Sequence, residues 1–220
     1  MNSRARAIAI ATLIFSGLIY LFAWSPLLTV KSIETSGIPD AVAESVVISK
    51  SEIVLAQRLA RIEPRSAENS LREFSWIKEV NVSRDWLKGK VSIAITPRVP
   101  VALYKGKALD SAGEIFVIAG NTPSGLPTVT ASTPELGLLA IELFTALPDE
   151  MRSSLISLSA SQSSAISSWQ QVGSRKVKVM WGSAEQVDLK VSVYQALLAL
   201  PENKSIKRVD LSAPHAPIVK

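Results

Sequence analysis

Between Arg6 and Lys31 the chain carries no charged residue. Pro26 limits any helix there, which leaves residues 7–25 as one apolar helical body. At about 1.5 Å of rise per residue, roughly 19 residues match a bilayer core about 30 Å thick. Tyr20 and Trp24 stand at the far end, where amphipathic rings favour the headgroup region. Arg4 and Arg6 flank the near end, and the positive-inside rule keeps that end cytoplasmic. The sequence therefore predicts a cytoplasmic tail of residues 1–6, a single transmembrane helix over 7–25, and the rest of the chain beyond the membrane. Two other readings compete. A buried core helix is as apolar, but is not normally N-terminal and preceded by arginines. A cleaved signal has its best site at Ala23-Trp24-Ser25, where a bulky residue and the following Pro26 stand in the way. The run is also longer than the usual apolar core of such a signal, about 7–15 residues.

The remaining chain is long enough for one or two folded domains, and 47% of all 220 residues are apolar. Cysteine is missing, which excludes disulfides and thiolate metal sites. The formal charge is +5, and two of those charges are Arg4 and Arg6. No basic stripe interleaved with aromatics follows, so nucleic acid is not an expected partner.

Residues 28–37 alternate loosely as a strand ending at Gly37. Pro39-Asp40 then opens a short helical candidate, AVAESVVI. Residues 51–63 place Ile53, Leu55, Leu59 and Ile62 near one helical face, with Ser51 as N-cap and Pro64 as the stop. Residues 66–74 read as another helix, with Leu71 and Phe74 inward. In IKEVNVSRDWLKGKVSIAITP, Val80, Val82 and Arg84 share one strand face; Val91, Ile93 and Ile95 share one face of the next. Gly89 marks the turn between them. Pro97 and Pro100 close this strand–helix–helix–strand–strand unit.

That order, directly after an apolar segment, resembles a POTRA domain. WIKEVNVSRDW followed by VSIAITPRVPVA resembles the FtsQ/DivIB family of bacterial cell-division proteins. Val80, Val82, Arg84 and Trp86 match its first strand pattern; Arg98, Pro100, Val101 and Ala102 match its second. Leu87 replaces the usual proline, and Pro97 the usual glutamate. Asp110 and Gly113 in LDSAGEIF are similar to the family's next hairpin. Residues 135–150 form a helix in the expected place, 154–160 and 175–182 read as strands, and 185–200 as a helix. IKRVDLSAPHAPIVK resembles the closing segment. The expected fold is α+β: a POTRA-like module over 28–97, then a mixed β-rich domain over 98–213 with a C-terminal helix and edge strand, and a tail over 214–220.

The resemblance implies a non-enzymatic, single-pass scaffold of the plasma (inner) membrane at the division septum. It also implies bitopic coiled-coil partners of the FtsB/DivIC and FtsL kinds. The predicted partner-binding residues are Ile206, Lys207, Arg208, Val209, Asp210, Leu211 and Ser212, acting as an edge strand that accepts a partner strand. Val209, Asp210 and Leu211 match the family pattern, whereas Ser212 and Ala213 depart from the arginine-tyrosine of some members. Arg84 and Trp86 are candidate contacts on the POTRA-like module. In the helix over 185–200, Val187, Val191, Tyr194 and Leu198 are expected inward, with Lys190 on the polar side.

Catalysis finds little support in the residues. The serines crowded into 153–168 lack a G-x-S-x-G or S-x-x-K setting, and His215 is the only histidine, in a proline-flanked segment. With one histidine and no thiol, only oxygen ligands remain for a metal, and neither metal nor cofactor is expected. Two alternatives stay open: a POTRA-bearing export or assembly factor, and a membrane-tethered cell-wall hydrolase or acyltransferase.

Overall fold

A computed structural model describes residues 3–23 and 28–220, which form two compact units, residues 1–98 and 99–220. The first contains helix α1 (Ser3–Ala23), β1 (Ser32–Ser36), α2 (Glu44–Ser51), α3 (Pro64–Arg72), β2 (Ile77–Asp85) and β3 (Lys90–Pro97). Among the described residues no helix is long and apolar enough to cross a membrane. Trp24 and Ser25, the end of the expected anchor, lie outside the described residues.

β2 and β3 form the expected hairpin, with Val80 opposite Ile95 and Val82 opposite Ile93. These four side chains are buried, while Glu79, Asn81 and Ser83 face outward. β1 joins β3 in parallel, giving the order β1-β3-β2. Helix α3 starts with Pro64 in its first turn, where the missing N–H costs no bond. Proline here opens a helix instead of stopping one.

The helix expected over 51–63 does not form. Ser51 ends α2, and its hydroxyl donates to the Ile48 carbonyl instead of capping a new helix. Glu52 and Ala56 take left-handed backbone angles, φ 59° and 65°. The following backbone bonds to the lead-in segment instead: Val30 N–H to Gln57 O and Ala56 N–H to Val30 O, both 2.9 Å. Ile53, Leu59 and Ile62 are still buried, but Leu55 is exposed. Long-range pairing outcompetes a short amphipathic helix.

The second unit contains β4 (Pro100–Tyr104), β5 (Lys107–Asp110), β6 (Ile115–Phe116), β7 (Thr128–Ala131), α4 (Pro134–Ala146), α5 (Asp149–Ser153), β8 (Leu155–Ala160), β9 (Ile166–Val172), β10 (Arg175–Gly182), α6 (Val187–Ala199), β11 (Arg208–Asp210) and β12 (Ile218–Val219). The strands form one sheet in the order β12-β11-β10-β9-β8-β7-β4-β5-β6. Two parallel crossovers organise it: β7 to β8 through α4, and β10 to β11 through α6. Thr133 caps α4 by accepting from the Leu136 N–H. Leu143 and Ala140 of α4 join Val191 and Tyr194 of α6 in one core with Leu158, Val177 and Trp181. Each fully buried leucine-sized side chain there contributes about 1.5–3 kcal/mol.

Candidate functional site

The predicted binding residues lie at one end of this sheet. β11 pairs in parallel with β10, Val179 beside Val209. Val209 and Leu211 are fully buried. The strand is shorter than the sequence suggests, covering only 208–210. Ile206, just before the strand, is buried, while Lys207 is exposed. Asp210 ends the strand by accepting from both the Ser212 N–H (3.1 Å) and the Ser212 hydroxyl (2.7 Å). This is a local turn of the kind aspartate favours.

β10 is fixed where it meets this turn. Trp181 is fully buried and its indole N–H donates to the Ser168 hydroxyl at 2.9 Å. Gly182 follows with φ 72°, and a Cβ there would stand 3.0 Å from the Ser212 Cα. Only glycine lets the two segments lie this close. Lys190 corrects an expectation: it is buried, not on a polar face, and donates to the Ser183 carbonyl at 2.8 Å. Burial pulls its pKa down, opposed by the nearby Glu185 carboxylate.

The edge itself is the larger correction. β11 does not bound the sheet, because β12, within the segment expected as a tail, pairs with it antiparallel. Val209 faces Val219 and Asp210 faces Ile218. Arg208 and Lys220 exchange backbone bonds just beyond. The proline-punctuated APHAP segment turns the chain back so that two strand-type residues reach β11. In an antiparallel ladder alternate residues turn their N–H and C=O outward. Since Arg208 and Lys220 form a bonded pair, Val219 is the residue whose backbone groups face away from β11. Ile218 is 56% exposed beside it, and Lys207, Arg208 and Lys220 are exposed nearby. The edge has thus moved out by one strand from Arg208–Asp210.

Arg84 and Trp86 sit in the first unit. The Arg84 guanidinium donates to the Leu59 and Ile62 carbonyls, at 2.9 and 2.7 Å, and lies 5.0 Å from the centre of the Trp86 ring. Its donors hold the 59–62 turn against the hairpin, which makes Arg84 a brace of its own unit. Several serines of 153–168 are bonded within the fold: Ser159 to Ser167 at 2.8 Å, and Ser154 to Gln170 at 2.8 Å. His215 is exposed. No group of three metal-ligating residues gathers among the described residues.

With this architecture in view, the sequence matches two family profiles. One is described as POTRA domain, FtsQ-type, and covers residues 28–98. The other is described as Cell division protein FtsQ/DivIB, C-terminal, and covers residues 101–212. The chain belongs to the FtsQ/DivIB family of cell-division proteins. It is also 28% identical over 142 residues to a cell division protein FtsQ of Corynebacterium glutamicum. That match covers 60% of this chain and 61% of the relative's length. The second family profile stops at Ser212, short of β12. The strand that forms the sheet edge thus lies beyond the segment that carries the FtsQ/DivIB match.

Proposed function

We propose that this FtsQ/DivIB chain is a non-enzymatic scaffold of the division machinery. Residues 7–25 hold it in the plasma (inner) membrane at the septum, with the N-terminus cytoplasmic. It recruits bitopic coiled-coil proteins of the FtsB/DivIC and FtsL kinds by accepting a strand at the β12 edge. The observation that carries this reading is the outward-facing Val219 backbone beside exposed Ile218. A partner strand gains main-chain bonds at Val219 and apolar contact at Ile218. The cations Lys207, Arg208 and Lys220 favour an acidic partner segment and discourage indiscriminate pairing.

The anchor draws support from α1. Ile8, Ile10, Leu13, Ile14, Phe15 and Tyr20 are all exposed. A helix apolar on every side needs an apolar surrounding, and a bilayer supplies it. Confinement to the membrane plane then raises effective concentration, so a short edge suffices for capture.

The test is co-purification of the coiled-coil partner with the full-length chain carrying Val219→Pro. Proline removes the outward N–H and no bond to β11. Capture should fall at least tenfold, about 1.4 kcal/mol, with the unfolding midpoint unchanged. Undiminished capture contradicts strand addition at β12.

A further inference from the structure

The most exposed large apolar side chains of residues 28–98 are Leu87 at 96%, Leu55 at 62% and Val54 at 60%. They come from two loops that sequence separates by some thirty residues, and both loops are bonded to the same short segment, residues 28–31. The hairpin turn attaches through Lys31 N–H to Gly89 O at 2.7 Å. Gly89, at φ 69°, packs so closely that a Cβ would stand 2.7 Å from the Thr29 carbonyl oxygen. The other loop attaches through the Val30 bonds to Gln57 and Ala56 and through Leu59 N–H to Leu28 O at 3.0 Å. The three apolar side chains therefore stand on the two loops that hold residues 28–31, the segment leading from α1 into β1.

The turn that presents Leu87 is fixed by one carboxylate. Asp85 Oδ1 accepts from the Leu87 N–H at 3.1 Å and the Lys88 N–H at 3.0 Å. Lys31 and Lys88 are exposed beside it. Of the acids near this corner, Asp85 lies 4.0 Å from Lys88 and Glu34 pairs with Lys90 at 2.5 Å, while Glu52 is exposed two residues before Val54. Four residues separate Leu28 from Ala23, the last residue of α1. A fully extended connection of that length spans at most about 18 Å.

Resting on the anchor reading above, we propose that this corner is a lipid-contacting surface. Leu87, with Val54 and Leu55, enters the headgroup–acyl boundary of the bilayer that holds α1, and Lys31 and Lys88 meet anionic headgroups. The occupant is the membrane itself, because the tether holds the corner near it and the cations suit its charge. Contact at a second point would orient the first unit end-on to the membrane.

The chain has no native cysteine, which makes single-cysteine probes clean. Full-length Leu87→Cys, Phe15→Cys and Glu79→Cys, each carrying an environment-sensitive fluorophore, are reconstituted in vesicles of equal parts phosphatidylglycerol and phosphatidylethanolamine. Glu79 is an exposed residue near the opposite end of β2. Lipid-borne nitroxide should quench the Phe15 and Leu87 labels and shift the Leu87 emission to the blue, leaving the Glu79 label in water. A quenched Phe15 label with a water-exposed Leu87 label overturns the lipid contact and leaves the anchor standing. A water-exposed Phe15 label overturns the anchor, and the inference falls with it. A Glu79 label entering lipid as deeply as Leu87 overturns end-on docking.

Discussion

Arg208 and Lys220 exchange both of their backbone hydrogen bonds, Arg208 N–H to Lys220 O at 3.0 Å and Lys220 N–H to Arg208 O at 2.9 Å. This pair closes the outer side of β11 and fixes the phase of the ladder beyond it. Val219 is thereby the residue whose amide and carbonyl face outward. Variants of Val209 or Leu211 do not test binding cleanly, because both side chains are fully buried and their replacement by charge would unfold the edge.

Gly182→Ala tests how the edge is supported. A left-handed alanine costs about 1–2 kcal/mol, and its Cβ meets the Ser212 backbone at 3.0 Å. The variant should lower the chemical denaturation midpoint and weaken partner capture together. An unchanged midpoint would show that β10 and the Ser212 turn do not depend on this close approach.

Arg84→Lys should destabilise the first unit by about 1–3 kcal/mol although the charge is kept. Both bonds leave the one Nη1, and lysine, shorter and without the planar guanidinium that lies over the Trp86 ring, cannot hold the Leu59 and Ile62 carbonyls in the same way. Urea unfolding of the full chain measures the loss. If Arg84 instead served only an external partner, the lysine variant would unfold like the parent.

Tyr194 gives a pH signature. Its side chain is buried, and among the described residues its hydroxyl has no hydrogen-bond partner. Burial pushes its pKa up to about 12, with the Arg175 charge acting the other way. Unfolded tyrosine ionises near pH 10. Between those values the unfolded chain has released a proton that the folded chain retains, so stability is complete below about pH 10 and falls as pH rises through 12. Tyr194→Phe removes that loss. Its melting temperature should gain on the parent progressively above about pH 10; a difference constant with pH would contradict the assignment.

What the sequence revealed follows the range of the interactions involved. The hairpin of β2 and β3 was legible because alternation and a glycine turn are local signals. The stretch after Ser51 misled because its apolar spacing is helical while its backbone bonds go to Leu28 and Val30. Residue type predicts Lys190 outward, yet one carbonyl within reach lets its charged end sit inside. β9 went unread because Ser167, Ser168 and Gln170 are polar but buried. β12 was hidden for another reason. Two residues after APHAP carry almost no strand signal, and only β11, brought alongside by the fold, makes them one.

Strand addition at β12 is decided at a single amide. Hydrogen exchange at the Val219 N–H is measured on the full-length chain, alone and saturated with the extracytoplasmic segment of an FtsB/DivIC-type partner. Strand addition predicts slowing by roughly five- to tenfold at Val219, the worth of one hydrogen bond of about 1 kcal/mol, with the already bonded Lys220 amide changing less. Exchange at Val219 that stays as fast in the saturated complex as in the free chain would contradict it.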